Sequence, residues 1–287
     1  MLTVRAESWQ ISFVMPPRKR IDIRALAKDP RFISGIYNYC DRWCERCPLS
    51  SRCLNYAMEK ASDEGDPEAR DVRNEKFWNK LHDVFAQTRE MVEEMAKEQG
   101  IDLTNLDTAE ARAAERRERR ALAKERPIIK AANAYIKMVD DWFDEEVGLL
   151  EAESQGFIAK AKLGVREVLK EATELKDVVE VIRWYQFFIS VKLQRAITSR
   201  ADEDADAEER EFPRDSEGSA KIALIALDRS IEAWVAMRTR FPEKTDDILD
   251  VLVHLDRLRR AVEKTFPDAR KFVRPGFDTG GKPVESE

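Results

Sequence analysis

From Val72 to Lys97 the apolar residues Phe77, Trp78, Leu81, Val84, Phe85, Met91, Val92 and Met95, with Thr88, fall on one stripe. Their 3.6-residue period predicts a long amphipathic helix. The period returns from Ile128 to Val147, where Ile128, Ala132, Tyr135, Val139, Trp142 and Phe143 share a face. It returns again from Asp177 to Ile197 through Val178, Val181, Ile182, Tyr185, Phe188, Ile189 and Ala196. Phe157 to Lys176 predicts a further helix, weakened by Gly156 and Gly164. Lys221–Thr239 and Thr245–Lys264 predict a helix pair around Phe241-Pro242. In the second of these, Ile248, Val251, Leu255, Leu258 and Val262 step by threes and fours, the seam of an antiparallel packing. The expected fold is all-α, a multi-helix bundle of about six or seven helices with an N-terminal four-cysteine metal-binding segment docked at one end.

Breaks in this pattern set the expected boundaries. Residues 1–20 form a leader ending in the basic run Pro16-Pro-Arg-Lys-Arg20, and a coherent pattern opens only at Met15, the expected native start. Residues 21–60 hold the cysteines, 61–200 the bundle, and 218–270 the C-terminal helix pair. Between them Ala201–Glu217 carries nine acidic residues, with Phe212 as its one large apolar side chain, and reads as a disordered loop. After Arg270 the glycines and prolines predict a tail, 271–287, without regular structure. Thr108–Arg126 alternates arginine with glutamate, the pattern of a solvated helix laced with ion pairs.

Composition narrows the function. A charged fraction of 37% with 10 glycines in 287 residues favours solvated helices over sheets. A net charge of −6 disfavours nucleic acid as a partner and leaves a protein or redox partner as the expected class. No apolar run approaches membrane-spanning length, so no membrane association is expected. No secretory signal pattern accompanies the cysteines, and the expected compartment is cytoplasmic.

All four cysteines, Cys40, Cys44, Cys47 and Cys53, fall within Ile36–Tyr56 with the spacing C-x3-C-x2-C-x5-C. Asp29-Pro30 signals a helix start and Pro48 a stop, which would put Cys40, Cys44 and Cys47 on one helical face. Cys53 would return across a Pro-Leu-Ser-Ser turn as the fourth ligand. Four thiolates at short, unequal gaps beside a proline suit an iron–sulfur cluster, most simply 4Fe–4S. A closed tetrahedral zinc site is the alternative, although zinc modules more often separate two C-x2-C pairs widely. Disulfides are disfavoured in a reducing compartment. Arg42, Arg46 and Arg52 flank the cysteines and would offset cluster charge.

The C-x2-C-x5-C portion, Cys44 to Cys53, resembles the cluster-binding spacing of iron–sulfur nucleases of the CRISPR-adaptation and recombination-helicase families. It is also similar to auxiliary-cluster motifs of certain radical-SAM maturases, and Cys40, Cys44 and Cys47 match the radical-SAM C-x3-C-x2-C signature. These likenesses are confined to cysteine spacing. Over its whole length the chain resembles uncharacterised bacterial helical proteins carrying the run Tyr-Cys-Asp-Arg-Trp-Cys-Glu-Arg-Cys-Pro, a likeness that implies no activity.

The remaining candidates carry weaker chemistry. His82 reads as a surface histidine and His254 as a flank of the seam, because neither follows a glutamate at the spacing of a di-iron ligand pair. The acidic end at Asp140, Asp141, Asp144, Glu145 and Glu146 reads as a solvated face. Asp228, Arg229 and Glu232 read as surface polarity, with a buried ion pair as the other option. Phosphate loops, nucleophile elbows and His-Glu-x-x-His are absent from the sequence. The leading expectation is an iron–sulfur protein with a structural, redox-sensing or electron-transfer role. A zinc-stabilised helical interaction module comes second. An enzyme using the cluster on a small substrate has the least support, for want of an acid–base constellation.

Overall fold

The computed structural model describes residues 29–62, 71–101, 126–205 and 214–280, with isolated positions between them. The expected leader with Met15, most of Thr108–Arg126 and residues 281–287 lie outside the described residues. Among the described residues there are seven α-helices and no strand. They are α1 (Leu54–Ser62), α2 (Glu75–Glu98), α3 (Pro127–Glu145), α4 (Val147–Lys162), α5 (Val168–Ala205), α6 (Asp215–Arg240) and α7 (Thr245–Thr265). The all-α expectation is met.

Four helices close into a bundle, with α5 packed on α6, α6 on α7, α7 on α3 and α3 on α5, while α4 lies against α5. Each brings the stripe that its sequence announced. On α7, Ile248, Val251, Leu255, Leu258 and Val262 are all buried; on α5, Ile182, Tyr185, Ile189 and Ala196 join Leu193. Trp142 and Phe143 of α3 meet Trp234 of α6 edge-on or tilted, and the Trp234 indole N–H donates to the Tyr135 hydroxyl at 3.1 Å. That bond satisfies the polar ends of two large aromatics inside the core. Ala220, Ala223 and Ala226 keep one face of α6 slim and let its neighbours approach closely.

Three expectations change. The helix expected over Phe157–Lys176 is two helices. Gly164, at φ 79°, ends α4, with its N–H on the Ala161 carbonyl and the Val165 N–H on the Lys160 carbonyl. This is a Schellman arrangement, which needs a left-handed residue that glycine supplies without strain. The chain then restarts as α5 and runs through Asp177 without a break.

The acidic stretch Ala201–Glu217 is structured at both ends. Residues 201–205 complete α5, and α6 begins at Asp215 with Ser216 and Glu217 buried; 206–213 lie outside the described residues. Glu203 accepts from the Ser216 backbone N–H at 2.9 Å and from its hydroxyl at 2.7 Å, so an acidic side chain caps the first turn of α6.

Finally, α2 takes no part in the main helix packings, so the apolar stripe placed in the bundle stands apart from it. Trp78 is 54% exposed and Phe85 64%. Among the described residues no helix is long and apolar enough to cross a membrane.

Candidate metal centre: a four-cysteine segment clamped to the bundle

The cysteine segment is not the helix that Asp29-Pro30 suggested. It is an irregular chain with three short 3-10 turns, Ile36–Asn38, Cys44–Arg46 and Ser50–Arg52, leading into α1. Cys40, Cys44, Cys47 and Cys53 therefore come from loop and turn positions rather than from one helical face. Two positive-φ residues interrupt any helix, Gly35 at 72° and Arg42 at 59°. For arginine that conformation is uncommon and is held by surrounding contacts.

The main contact is Asp41. Its carboxylate accepts from the Trp43 backbone N–H at 3.2 Å, from the Tyr185 hydroxyl at 2.7 Å and from Arg229 at 2.6 Å. Its backbone carbonyl accepts from the Trp184 indole at 3.0 Å, and Arg229 also donates to the Tyr185 hydroxyl. One loop residue is thus fixed to α5 and α6 together. These long-range bonds outweigh the local helix signal of the segment.

Around this anchor, Trp43 stacks on Trp184 at 4.8 Å, and the Arg46 guanidinium lies 4.0 Å over its ring while pairing with Asp177 and Glu180. Tyr39 donates to Asp215 at 3.1 Å and packs on Phe272 at 4.7 Å. Burial, then the Asp215 carboxylate, pushes the Tyr39 hydroxyl up to about 12, so it remains a donor. Gly218 of α6 makes this seat possible: a Cβ there would clash with the Tyr39 ring and stand 2.7 Å from Phe272.

Within the expected loose tail, 271–287, the described residues 271–280 are structured and pack beside the site. Gly276, at φ 77°, turns against Ile33 and Ile36, the two residues of the segment in the buried core. Asp278 ties the turn to Lys221 at 2.8 Å and to Arg274 at 2.8 Å. Phe277 lines the recess together with the cysteines.

All four cysteines are free thiols and line one recess of about 20 Å³. Asp41, Trp43, Tyr37, Tyr56, Ile36 and Phe277 are among its other walls. Burial pushes the Cys40 thiol up, opposed by the Arg42 backbone N–H and guanidinium and by Lys192. Cys44 is pushed up to about 11 by burial and then by Cys40, Glu59 and Cys53. Mutual repulsion among the sulfurs is the condition that a bound cation relieves. Among the described residues no three Cys, His, Asp or Glu side chains stand in ready-made metal-ligand geometry.

The flanking arginines divide. Arg42 stays beside Cys40 and 6.0 Å from the Tyr37 ring, Arg46 is engaged with α5, and Arg52 donates to the Arg31 carbonyl at 3.3 Å. Lys192, 8% exposed on α5, brings a cation toward Cys40 that the sequence did not single out.

His82 is exposed, whereas His254 bonds the Ala131 carbonyl at 2.8 Å and joins α7 to α3. The acidic end of α3 is ion-paired, with Asp140 on Arg183 and Asp141 on Lys137. Arg229, read from the sequence as surface polarity, is half of the ion pair that docks the cysteine segment. Compared with known protein families, curated proteins and solved structures, the chain shows no significant match. Fold and site together describe an all-helical bundle carrying a clamped four-cysteine segment.

Proposed function

We propose that Cys40, Cys44, Cys47 and Cys53 bind an iron–sulfur cluster, 4Fe–4S in the simplest form, in a structural, redox-sensing or electron-transfer role. The observation that carries this reading is the convergence of every cysteine in the chain on one recess. The thiols are unpaired and line one recess, and they sit on irregular backbone, which adapts to a cluster more readily than a helical face would. Arg42 and Lys192 near Cys40 supply positive charge against a thiolate-rich centre, which favours the reduced state and raises its potential. A redox or protein partner would meet the site, and no nucleic acid is invoked.

Zinc is the second reading, because four free thiols lining one recess can also close a tetrahedral zinc site. Anaerobic purification with iron, zinc and acid-labile sulfide analysis separates the two. Brown protein with iron and sulfide in near-equal amounts, bleached by dithionite, supports the cluster. Colourless protein holding one zinc, with no sulfide, replaces it by the tetrahedral site. Serine at Cys40, Cys44, Cys47 or Cys53 is expected to lower occupancy in either case.

A further inference from the structure

A second cavity adjoins the thiol recess. It measures about 590 Å³ and opens between the cysteine segment, α5, α6 and the tail. This lies within the size range of small-molecule sites. Cys40, Asp41, Trp43, Cys47 and Phe277 line both spaces, so the cleft reaches the thiols from the side.

Its floor is apolar, made by Val178 and Val181 of α5 with Ile222, Ile225 and Ala226 of α6. Its charges balance: Arg46, Arg229 and Arg274 line it together with Asp41, Asp177 and Glu232. Each arginine is also bonded to a carboxylate, Arg46 to Asp177, Arg229 to Asp41 and Arg274 to Asp278. With those charges already paired, the cleft offers no net charge to offset the desolvation of an ionic ligand of either sign. A neutral acceptor oxygen avoids that cost and can use guanidinium N–H donors that these bonds leave over. Arg229, for example, spends Nη1 on Asp41 and Tyr185, which leaves its other nitrogens for a guest.

We propose that this cleft binds an uncharged, mostly apolar small molecule bearing a carbonyl or hydroxyl acceptor, and holds it against the Cys40–Cys47 side of the thiol site. That the guest faces a redox centre rests on the metal reading above; that the cleft binds a neutral molecule does not. Trp43, held between Trp184 and Arg46, lines the cleft beside Cys40 and Cys47.

The test uses the full chain as purified, with equilibrium dialysis of two dyes that share an apolar body. N-phenylnaphthylamine is neutral, and anilinonaphthalene sulfonate adds a negative charge. Saturable binding of the neutral dye, about tenfold tighter than the sulfonate, is expected. Val181→Trp on the floor and Ala236→Trp at the exposed mouth should each weaken it about tenfold, with iron and zinc content unchanged. If Val181→Trp fails to fold, Ala236→Trp decides. The proposal is overturned if the neutral dye does not saturate, if the sulfonate binds as tightly, or if neither tryptophan lowers binding. Metal-free protein that still binds the dye would count against the metal centre and leave the cleft standing. Metal-loaded protein that ignores the dye does the reverse.

Discussion

The bundle and the cysteine segment are held by different physics. In the bundle, α3, α5, α6 and α7 bury periodic apolar stripes against one another, and many side chains share the load. The cysteine segment buries Ile33 and Ile36 against the tail turn, outside that core cluster, and is otherwise fixed by a few directional contacts from Asp41, Tyr39, Trp43 and Arg46. Apolar burial is non-directional and tolerant, whereas a hydrogen-bonded clamp depends on each partner. The two regions should therefore fail separately.

The largest effect belongs to the bundle. Leu255 is fully buried at the centre of the α7 seam, so Leu255→Ala should lower stability by about 2–4 kcal/mol through lost burial and a cavity. Arg257, exposed two residues on, should be neutral when changed to alanine. Thermal melts followed by far-UV circular dichroism make the comparison. Equal, small shifts for both would mean that the seam does not carry the bundle.

That contrast also explains what the sequence made legible. The ranges of α2, α3 and α7 and the buried positions of α7 follow from the 3.6-residue period, because each stripe needs nothing beyond its own helix to be recognised. The four cysteines stand out by type and spacing. What could not be read is where local and distant signals conflict. Asp29-Pro30 announces a helix, but Asp41 bonds to Tyr185 and Arg229, about 140 and 190 residues away in sequence, and that interaction decides the backbone. Glycine and proline after Arg270 suggested a loose tail, yet Gly276 is the residue that lets the turn seat on Ile33 and Ile36. Acidic composition hid Glu203 as a cap. In each case composition was read correctly and the partner was missing.

Gly218→Ala pits one region against the other. As a helix substitution it should stabilise α6 by about 1 kcal/mol. As a packing substitution it drives a Cβ into the Tyr39 ring and to 2.7 Å from Phe272, and overpacking of this kind costs about 1–3 kcal/mol. A net loss is expected, located at the segment and tail rather than in the bundle. Limited proteolysis should cut between Phe272 and residue 280 sooner, with the helical signal intact. A rise in melting temperature without new cleavage would show that Tyr39 and Phe272 are not seated on α6.

Asp41→Ala removes the clamp itself. The pair with Arg229 is partly exposed, so the cost to docking should be about 1 kcal/mol. Its signature is selective: Trp43 and Trp184 fluorescence should shift and metal occupancy fall, while the dichroism melt stays at the wild-type value. A melt that drops as far as that of Leu255→Ala would mean the clamp belongs to the bundle core.

Acid should draw the same line with the smallest perturbation, since it changes no residue. Among the carboxylates that hold the docked parts are Asp215, beneath Tyr39, and Asp278, in the tail turn. Burial alone would raise both, but the bonds from Arg195 and Ser199 to Asp215, and from Arg274 and Lys221 to Asp278, outweigh it and leave both below the ordinary value of 3.8. A carboxylate whose folded value is depressed stabilises the fold fully above its unfolded value, and loses that contribution as pH falls through the folded one. The docking contribution should therefore be constant near neutrality and decline once pH passes below about 4. The buried apolar stripes of α7 and α5 do not titrate in that range. In metal-free protein the fluorescence of Trp43 and Trp184 should change before the helical dichroism as pH is lowered. Added salt should move that first transition and leave the second nearly in place, because the carboxylate pairs are partly solvent-exposed. Coincident transitions at every ionic strength would mean that segment and bundle unfold as one unit, and the distinction between them would fail.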